Sequence, residues 1–477
     1  MGVAEASTTA APPPPTTIAD PTTIADPTTT AIAPPASAEA NDPAGLGDSL
    51  YPDLGNGGYD VDHYTIELFF DPEVDRLSAI VTIEAAAAID LDTFNLDFRG
   101  FDIDALKVDE QEASFTRDGS ELIVDPASLI PAGESFAVAV EYSGTPGPIV
   151  SRAIPVEMGW RTGDAGERYV VAEPDAASSW FPSNDHPLDK ATYTFRLTVP
   201  NPLLAVANGV LTDTITDLGA TTRVYDMRQP MPTYLATIVV GDLAVVEDTA
   251  GTADGGVPIR NVLPPDLVQT PPVDLDLQGE MIAFFSDTFG PYPFDLYGIA
   301  VVGGFPAALE NSTLSIFGRD FTDSAIFEFV LVHELAHQWF GDHVTPADWG
   351  DIWLNEGFAT YAEWLWLEQR DGAAALTMIA SGTRDRFAQG LFPPPGLPPA
   401  DDLFNASVYQ RGALVLHALR LEIGDEAFFT TLRAYVERYG GGNATTEDFI
   451  TAAEAASGQQ LDALFDAWLF GESVPEL

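Results

Sequence analysis

The stretch FVLVHELAHQWFGDH, residues 329 to 343, sets His333 and His337 four positions apart inside an apolar run. A helix stacks residues at that spacing on one face, so two imidazoles project together. Glu334 follows the first histidine and points about 100° around the same helix. This H-E-x-x-H arrangement offers two nitrogens to one zinc ion and sets a carboxylate beside the water such an ion activates. The chain has no cysteine, so any metal must be held by imidazole and carboxylate. A catalytic zinc takes three protein ligands and keeps one position open. Candidates for the third are Glu356, separated from His337 by eighteen residues, and His343. Glu356 is favoured because it falls in the next predicted helix, where an antiparallel return brings it to the metal. His343 follows the first helix too closely to fold back easily onto the same ion.

The chain's 477 residues leave room for two or three domains around large cores. Its 20 basic residues face 73 acidic ones, a formal net charge of −53. Such a surface repels phosphate backbones, which makes nucleic acid and anionic membrane poor partners. Only Lys107 and Lys190 are lysines, and that scarcity with abundant aspartate suits a saline medium that screens self-repulsion. No apolar run approaches the ~20 residues of a membrane span. Residues 1–57 are rich in Pro, Thr and Ala and repeat TTIADP at Thr16–Pro21 and Thr22–Pro27. Too little apolar surface is available there to offset ordering, so a disordered tether is expected. It points to a secreted or cell-envelope-tethered protein, favoured as a monomer, whose export signal is absent from this chain.

From Tyr59 the pattern alternates with period two, in YTIELFF, FNLDF, FAVAVEY and YTFRLTV. Asp118–Gly119 signals a hairpin. An all-β domain is therefore expected over 58–250, with Tyr64, Ile66, Leu68, Phe94, Leu96, Phe136, Val138, Val140, Phe195 and Leu197 in its core. After the link GTADGGVPIRNVLPPD a mainly helical domain is expected over 251–477. LDLQGEMIAFFSDTFG reads as one helix and LYGIAVVGGF as a buried strand; longer helices fall near 324–341 and 351–369. TTEDFITAAEAASG carries an N-terminal cap and a terminal glycine, and LDALFDAWLFG closes the chain as an amphipathic helix.

HELAHQWFGDHVTPADWGDIWLNEGFATYAEW resembles the signature of the gluzincin aminopeptidases, the family of aminopeptidase N and the leukotriene hydrolase. The match covers His333, Glu334, His337, Trp353, Leu354, Asn355, Glu356, Gly357, Phe358 and Ala359. The resemblance implies an α+β multidomain fold, an N-terminal all-β domain followed by a thermolysin-like catalytic domain. It implies one Zn2+ per chain, held by His333, His337 and Glu356, with Glu334 as general base. The family's amine-binding G-A-M-E-N segment has its counterpart in AALEN, which puts that carboxylate on Glu310; Ala307 and Leu309 depart from the pattern. A second amine contact falls on Glu173, eight residues before Phe181–Pro182. The oxyanion-stabilising tyrosine of Y-x-K-G-A falls on Tyr409 in YQRGA, with Arg411 in place of lysine. Thr360, one turn beyond Glu356, is placed by spacing to orient that ligand.

The likeness runs from about Tyr59 to Leu477, without the family's C-terminal helical domain, so a more open cleft is expected. It implies a zinc aminopeptidase acting on peptides with a free N-terminus. Alternatives are hydrolysis of a non-peptide substrate such as an epoxide, a non-catalytic zinc-binding relative, or a thermolysin-like endopeptidase.

Overall fold

Along Tyr59–Asp71, Tyr64, Ile66, Leu68 and Phe70 are buried while Thr65, Glu67 and Phe69 turn outward, the pattern of a strand covering a core with one face. The computed structural model describes residues 45–248, 256–390 and 392–477. In it this strand is central to an eight-stranded sheet. Its neighbours are Arg76–Ala87, antiparallel, and Lys190–Pro200, parallel. All ten residues expected in the β-domain core are 4% exposed or less, so the period-two pattern located the buried face. Asp118 and Glu121 flank the expected hairpin turn, and Gly119 holds φ 62° there.

A smaller five-stranded sheet carries the β-domain's share of the site. Its order is Leu204–Ala207, Ile238–Gly241, Arg168–Val171, Glu157–Thr162, Pro148–Val150. Glu173 lies just past the end of the third of these, and Ile154 and Val156 lie between the last two.

The helical domain opens with a mixed five-stranded sheet, ordered Ala244–Asp248, Ile259–Leu263, Ile299–Val302, Ser315–Gly318, Ala308–Leu309. Two expectations change here. Ala244–Asp248 was assigned to the β-domain side of residue 250, yet it pairs with Ile259–Leu263. That second strand falls within the expected link; it is a wholly buried strand only five residues long, IRNVL, interrupted by Arg260 and Asn261 and flanked by prolines. Three helices then build the site: α1 (Phe327–His337), α2 (Trp353–Asp371) and α3 (Gly412–Ile423). Thr445 and Asp448 form a capping box ahead of Thr446–Ser457, which ends on a left-handed Gly458, as the pattern predicted.

The tether expected over residues 1–57 lies outside the described residues as far as residue 44. From residue 45 onward the expectation fails, because the chain is packed there. Tyr51 and Leu54 are buried, the Tyr51 hydroxyl donates to Ala400 O, and the backbone N–H of Asn56 donates to Asn184 Oδ1. No described helix is long and apolar enough to cross a membrane.

Candidate active site

Helix α1 is buried nearly all round, with Leu331, Val332, Leu335 and Ala336 at 0% exposure, so its histidines are held by packing on every side. The chain then turns at Gly341, where φ is 124° and a Cβ would lie 3.2 Å from both His337 Nδ1 and Asn355 Nδ2. That conformation and that space admit glycine, and the turn sends the chain back as α2. Glu356, in the first turn of α2, arrives beside both imidazoles. Its Oε2 is 3.1 Å from His333 Nε2 and 3.4 Å from His337 Nε2.

These separations fit zinc. Ligand atoms about 2.0–2.1 Å from a tetrahedral ion sit roughly 3.3 Å from one another. Among the described residues, His333, His337 and Glu356 are the one group of three potential ligands whose atoms lie within 4.8 Å of each other. The far nitrogens agree with this. His333 Nδ1 lies 2.8 Å from Glu363 Oε1, and His337 Nδ1 lies 3.0 Å from Phe340 O. Each acceptor fixes a proton on Nδ1 and leaves Nε2 free to ligate. Burial opposes charge on Glu356, but where protons on the two imidazoles take an ion's place they outweigh it and hold the carboxylate down at about 2.

A cavity of about 240 Å³ opens over this group, lined by Glu173, Glu310, His333, Glu334, His337, Glu356 and Tyr409 together with apolar side chains from both domains. These seven are the metal-ligand, base, oxyanion and amine-binding residues that the resemblance implies. Burial pushes Glu334 up to about 8. Burial, and then the charge of Glu310, raises Glu173; burial raises Glu310. Glu173 Oε1 and Glu310 Oε1 are buried and have no hydrogen-bond partner among the described residues. The segment bearing Glu310 is tied to the zinc-ligand helix: Gln338 Nε2 donates to Glu310 O at 2.8 Å, and Gln338 Oε1 accepts from the backbone of Thr313.

Tyr409 stands on a π-helical turn, Ser407–Arg411, leading into α3. Its ring lies 5.8 Å from that of His333, nearly parallel. The placement depends on a glycine pair. A Cβ on Gly412 would come 2.8 Å from Gly357 Cα, so α2 and α3 touch backbone to backbone where Glu356 and Tyr409 are carried.

One assignment resolves differently. Thr360 Oγ1 has no partner among the described residues, since Glu356 extends its carboxylate away to the imidazoles. The group that does orient a ligand is Glu363, two turns beyond Glu356; that seven-residue spacing on one helix face was its available signal. His343 stays out of the cluster. It packs edge-on to Phe294, and burial lowers it to about 4.

A helical domain presenting two histidines and a glutamate to one ion, faced by a β-domain that adds a further carboxylate, defines a metallopeptidase-type centre. Residues 60–235 match the Peptidase M1 N-terminal domain, and residues 273–391 and 397–468 match the Peptidase family M1 domain. The chain belongs to peptidase family M1. It is 34% identical to an M1 zinc metallopeptidase from Deinococcus radiodurans, covering 91% of this chain and 99% of that one at a TM-score of 0.83. Among curated relatives it is 31% identical to aminopeptidase M1 of Arabidopsis thaliana over 64% of this chain and 36% of that protein. Against aminopeptidase B of Rattus norvegicus the figures are 29%, 67% and 50%. The chain thus spans half or less of the length of these curated relatives.

Proposed function

We propose that this chain is a zinc-dependent aminopeptidase hydrolysing the N-terminal bond of peptides. The observation that carries the reading is the pair of buried carboxylates, Glu173 and Glu310, with unpartnered oxygens in the same cavity as the ligand group. Buried acids so placed call for a cation, and a peptide's free α-ammonium supplies one. His333, His337 and Glu356 would hold the ion, and zinc supplies Lewis acidity that acidifies water and polarises a carbonyl.

Glu173, from the β-domain, and Glu310, from the helical domain, clamp the ammonium, so the first peptide bond alone reaches the reacting centre. Glu334, made more basic by burial, takes a proton from water and returns it to the departing amine. Burial raises the Tyr409 phenol well above its usual range, so it stays protonated and donates a hydrogen bond to the developing oxyanion. The Deinococcus relative, described as bound to a Tyr-Ser-Ala substrate, supports a peptide ligand.

Aminoacyl-nitroanilides should be hydrolysed, a chelator should stop the reaction, and N-acetylated counterparts should remain intact. Glu334→Gln should keep zinc by elemental analysis and lose turnover by about 10²–10⁴-fold. Full activity in that variant would reject the base assignment, and cleavage of the acetylated substrates would reject the aminopeptidase reading.

A further inference from the structure

Asp342 is 0% exposed, and neither of its carboxylate oxygens has a hydrogen-bond partner among the described residues. Its backbone is fixed: the N–H donates to His337 O at 3.0 Å, and the carbonyl accepts from Lys190 Nζ at 3.0 Å. Lys190 directs its ammonium to that carbonyl and to those of His343 and Gly442, so its charge reaches the carboxylate only through space. A buried carboxylate without a donor is costly, and native proteins answer such a group with a partner.

Three neutral side chains stand around it with oxygens equally unmet. The Ser312 hydroxyl faces the carboxylate but stays outside bonding geometry. The Tyr234 hydroxyl, from the β-domain, stands toward Asn355 in the same way and feels the Asp342 charge. Asn355 adjoins the turn at Gly341, the residue before Asp342, and neither end of its amide is bonded among the described residues. Ser312, Tyr234 and Asn355 are 0%, 1% and 0% exposed. None of these four residues lines the active-site cavity, so they form a separate polar centre behind it. Charge counting identifies the partner. Zinc and Lys190 bring three positive charges to this interior, against five negative ones on Glu173, Glu310, Glu334, Asp342 and Glu356. Even a substrate ammonium leaves one negative charge over.

We propose that the Asp342 carboxylate, Ser312 Oγ, Asn355 Oδ1 and Tyr234 Oη hold one alkali cation, sodium or potassium. Oxygen donors suit a hard ion, and a lone carboxylate among neutral oxygens undercharges a calcium site, which draws on several. The ion ties Tyr234 of the β-domain to Asp342 and Asn355 of the helical domain.

The test titrates the full chain with thallium(I), a spectroscopic stand-in for alkali ions, in choline acetate beside Asp342→Asn, both at equal zinc content. The acidic surface takes up cations weakly in both proteins. Above that background the unaltered chain should bind one further ion, displaced by sodium or potassium, and the variant should bind it about tenfold or more weakly. Replacing choline by the alkali ion should raise the melting temperature by about 2 °C or more in the unaltered chain alone. Ser312→Ala removes one neutral donor and keeps the charge; it should weaken binding about threefold, and it decides the matter where Asp342→Asn does not fold. Equal uptake by the unaltered and variant proteins would show that water or a proton serves Asp342 and overturn the proposal, as would displacement by calcium at lower concentration than by either alkali ion. Binding is read without turnover, so its failure leaves the aminopeptidase reading standing.

Discussion

Glu363 shows how a single carboxylate outside the ligand set shapes the centre. It fixes the His333 proton at Nδ1 from 2.8 Å away, while His337 obtains the same service from a backbone carbonyl at Phe340. Only the first of these can be deleted by substitution. Glu363→Gln still offers an oxygen to Nδ1–H but loses the charge that makes the imidazole a stronger donor to the metal; Glu363→Ala loses both. Zinc affinity should fall about 10–100-fold in the alanine variant and less in the glutamine one, as read by competition with a chelating dye. Equal affinity in all three proteins would show that His333 is oriented by packing alone. The ligands themselves were legible because their chemistry fixes a spacing along one or two helices. Glu173 and Glu310 needed the family resemblance, since nothing local ties residue 173 to residue 310. Thr360 failed because adjacency on a helix does not tell which way a long neighbour extends.

Helix α2 carries Glu356 and also sets Tyr409, the proposed oxyanion donor, through its crossing with α3. Gly357 and Gly412 let the two backbones meet, and a methyl on Gly412 would press to within 2.8 Å of Gly357 Cα, a contact that rigid helices cannot relieve by a side-chain rotation. Gly412→Ala should push α3 and the preceding π-turn outward and withdraw Tyr409. The expected result is a kcat loss of about 10-fold or more with zinc retained, plus a lowered melting temperature from overpacking worth about 1–3 kcal/mol. A stability loss with kcat intact would mean that the crossing does not place the tyrosine. At this scale the sequence was informative where elements are long and periodic, and α1, α2 and the ten core positions of the β-domain came out as expected. It misled where elements are short: Ile259–Leu263 has too few residues to show a period, and only its partners in the sheet reveal it as a strand.

Across the molecule, the cavity exists only while the two domains stay in register, since Glu173 and part of the apolar wall come from one and the ligand group from the other. Among the polar ties that hold that register, two are made by Lys190 and by the segment after residue 45. Lys190, on the β-domain, donates at 3.0–3.2 Å to the carbonyls of Asp342 and His343, just past the zinc-ligand helix, and to that of Gly442. The segment after residue 45 is the other tie. Asp48 is fully enclosed; its Oδ1 accepts the N–H groups of Leu50 and Tyr51, while its Oδ2 accepts from Trp349 of the helical domain and lies 3.3 Å from His186 Nε2 of the β-domain. A glycine- and aspartate-rich stretch looks like linker in composition, and its order comes from these distant partners, which no local pattern records. Burial opposes the Asp48 charge, but His186 and the backbone donors prevail and lower its pKa. A carboxylate depressed in the folded state contributes stability above its unfolded pKa, and that stability is lost as pH falls through the folded value. Asp48→Asn turns a donor toward either the Trp349 N–H or the N–H pair of its own turn, and should cost about 1–3 kcal/mol at pH 7. The gap to the unaltered protein in urea unfolding should narrow below about pH 4, where the unfolded carboxylate begins to bind a proton that the depressed native one still refuses, and close as pH falls through the native value. KM should rise at pH 7 as the β-domain's Glu173 loses its fixed distance from Glu310. A gap that stays constant from pH 7 to pH 3, or an unmoved KM, would show that Asp48 serves its own turn and not the alignment of the two domains.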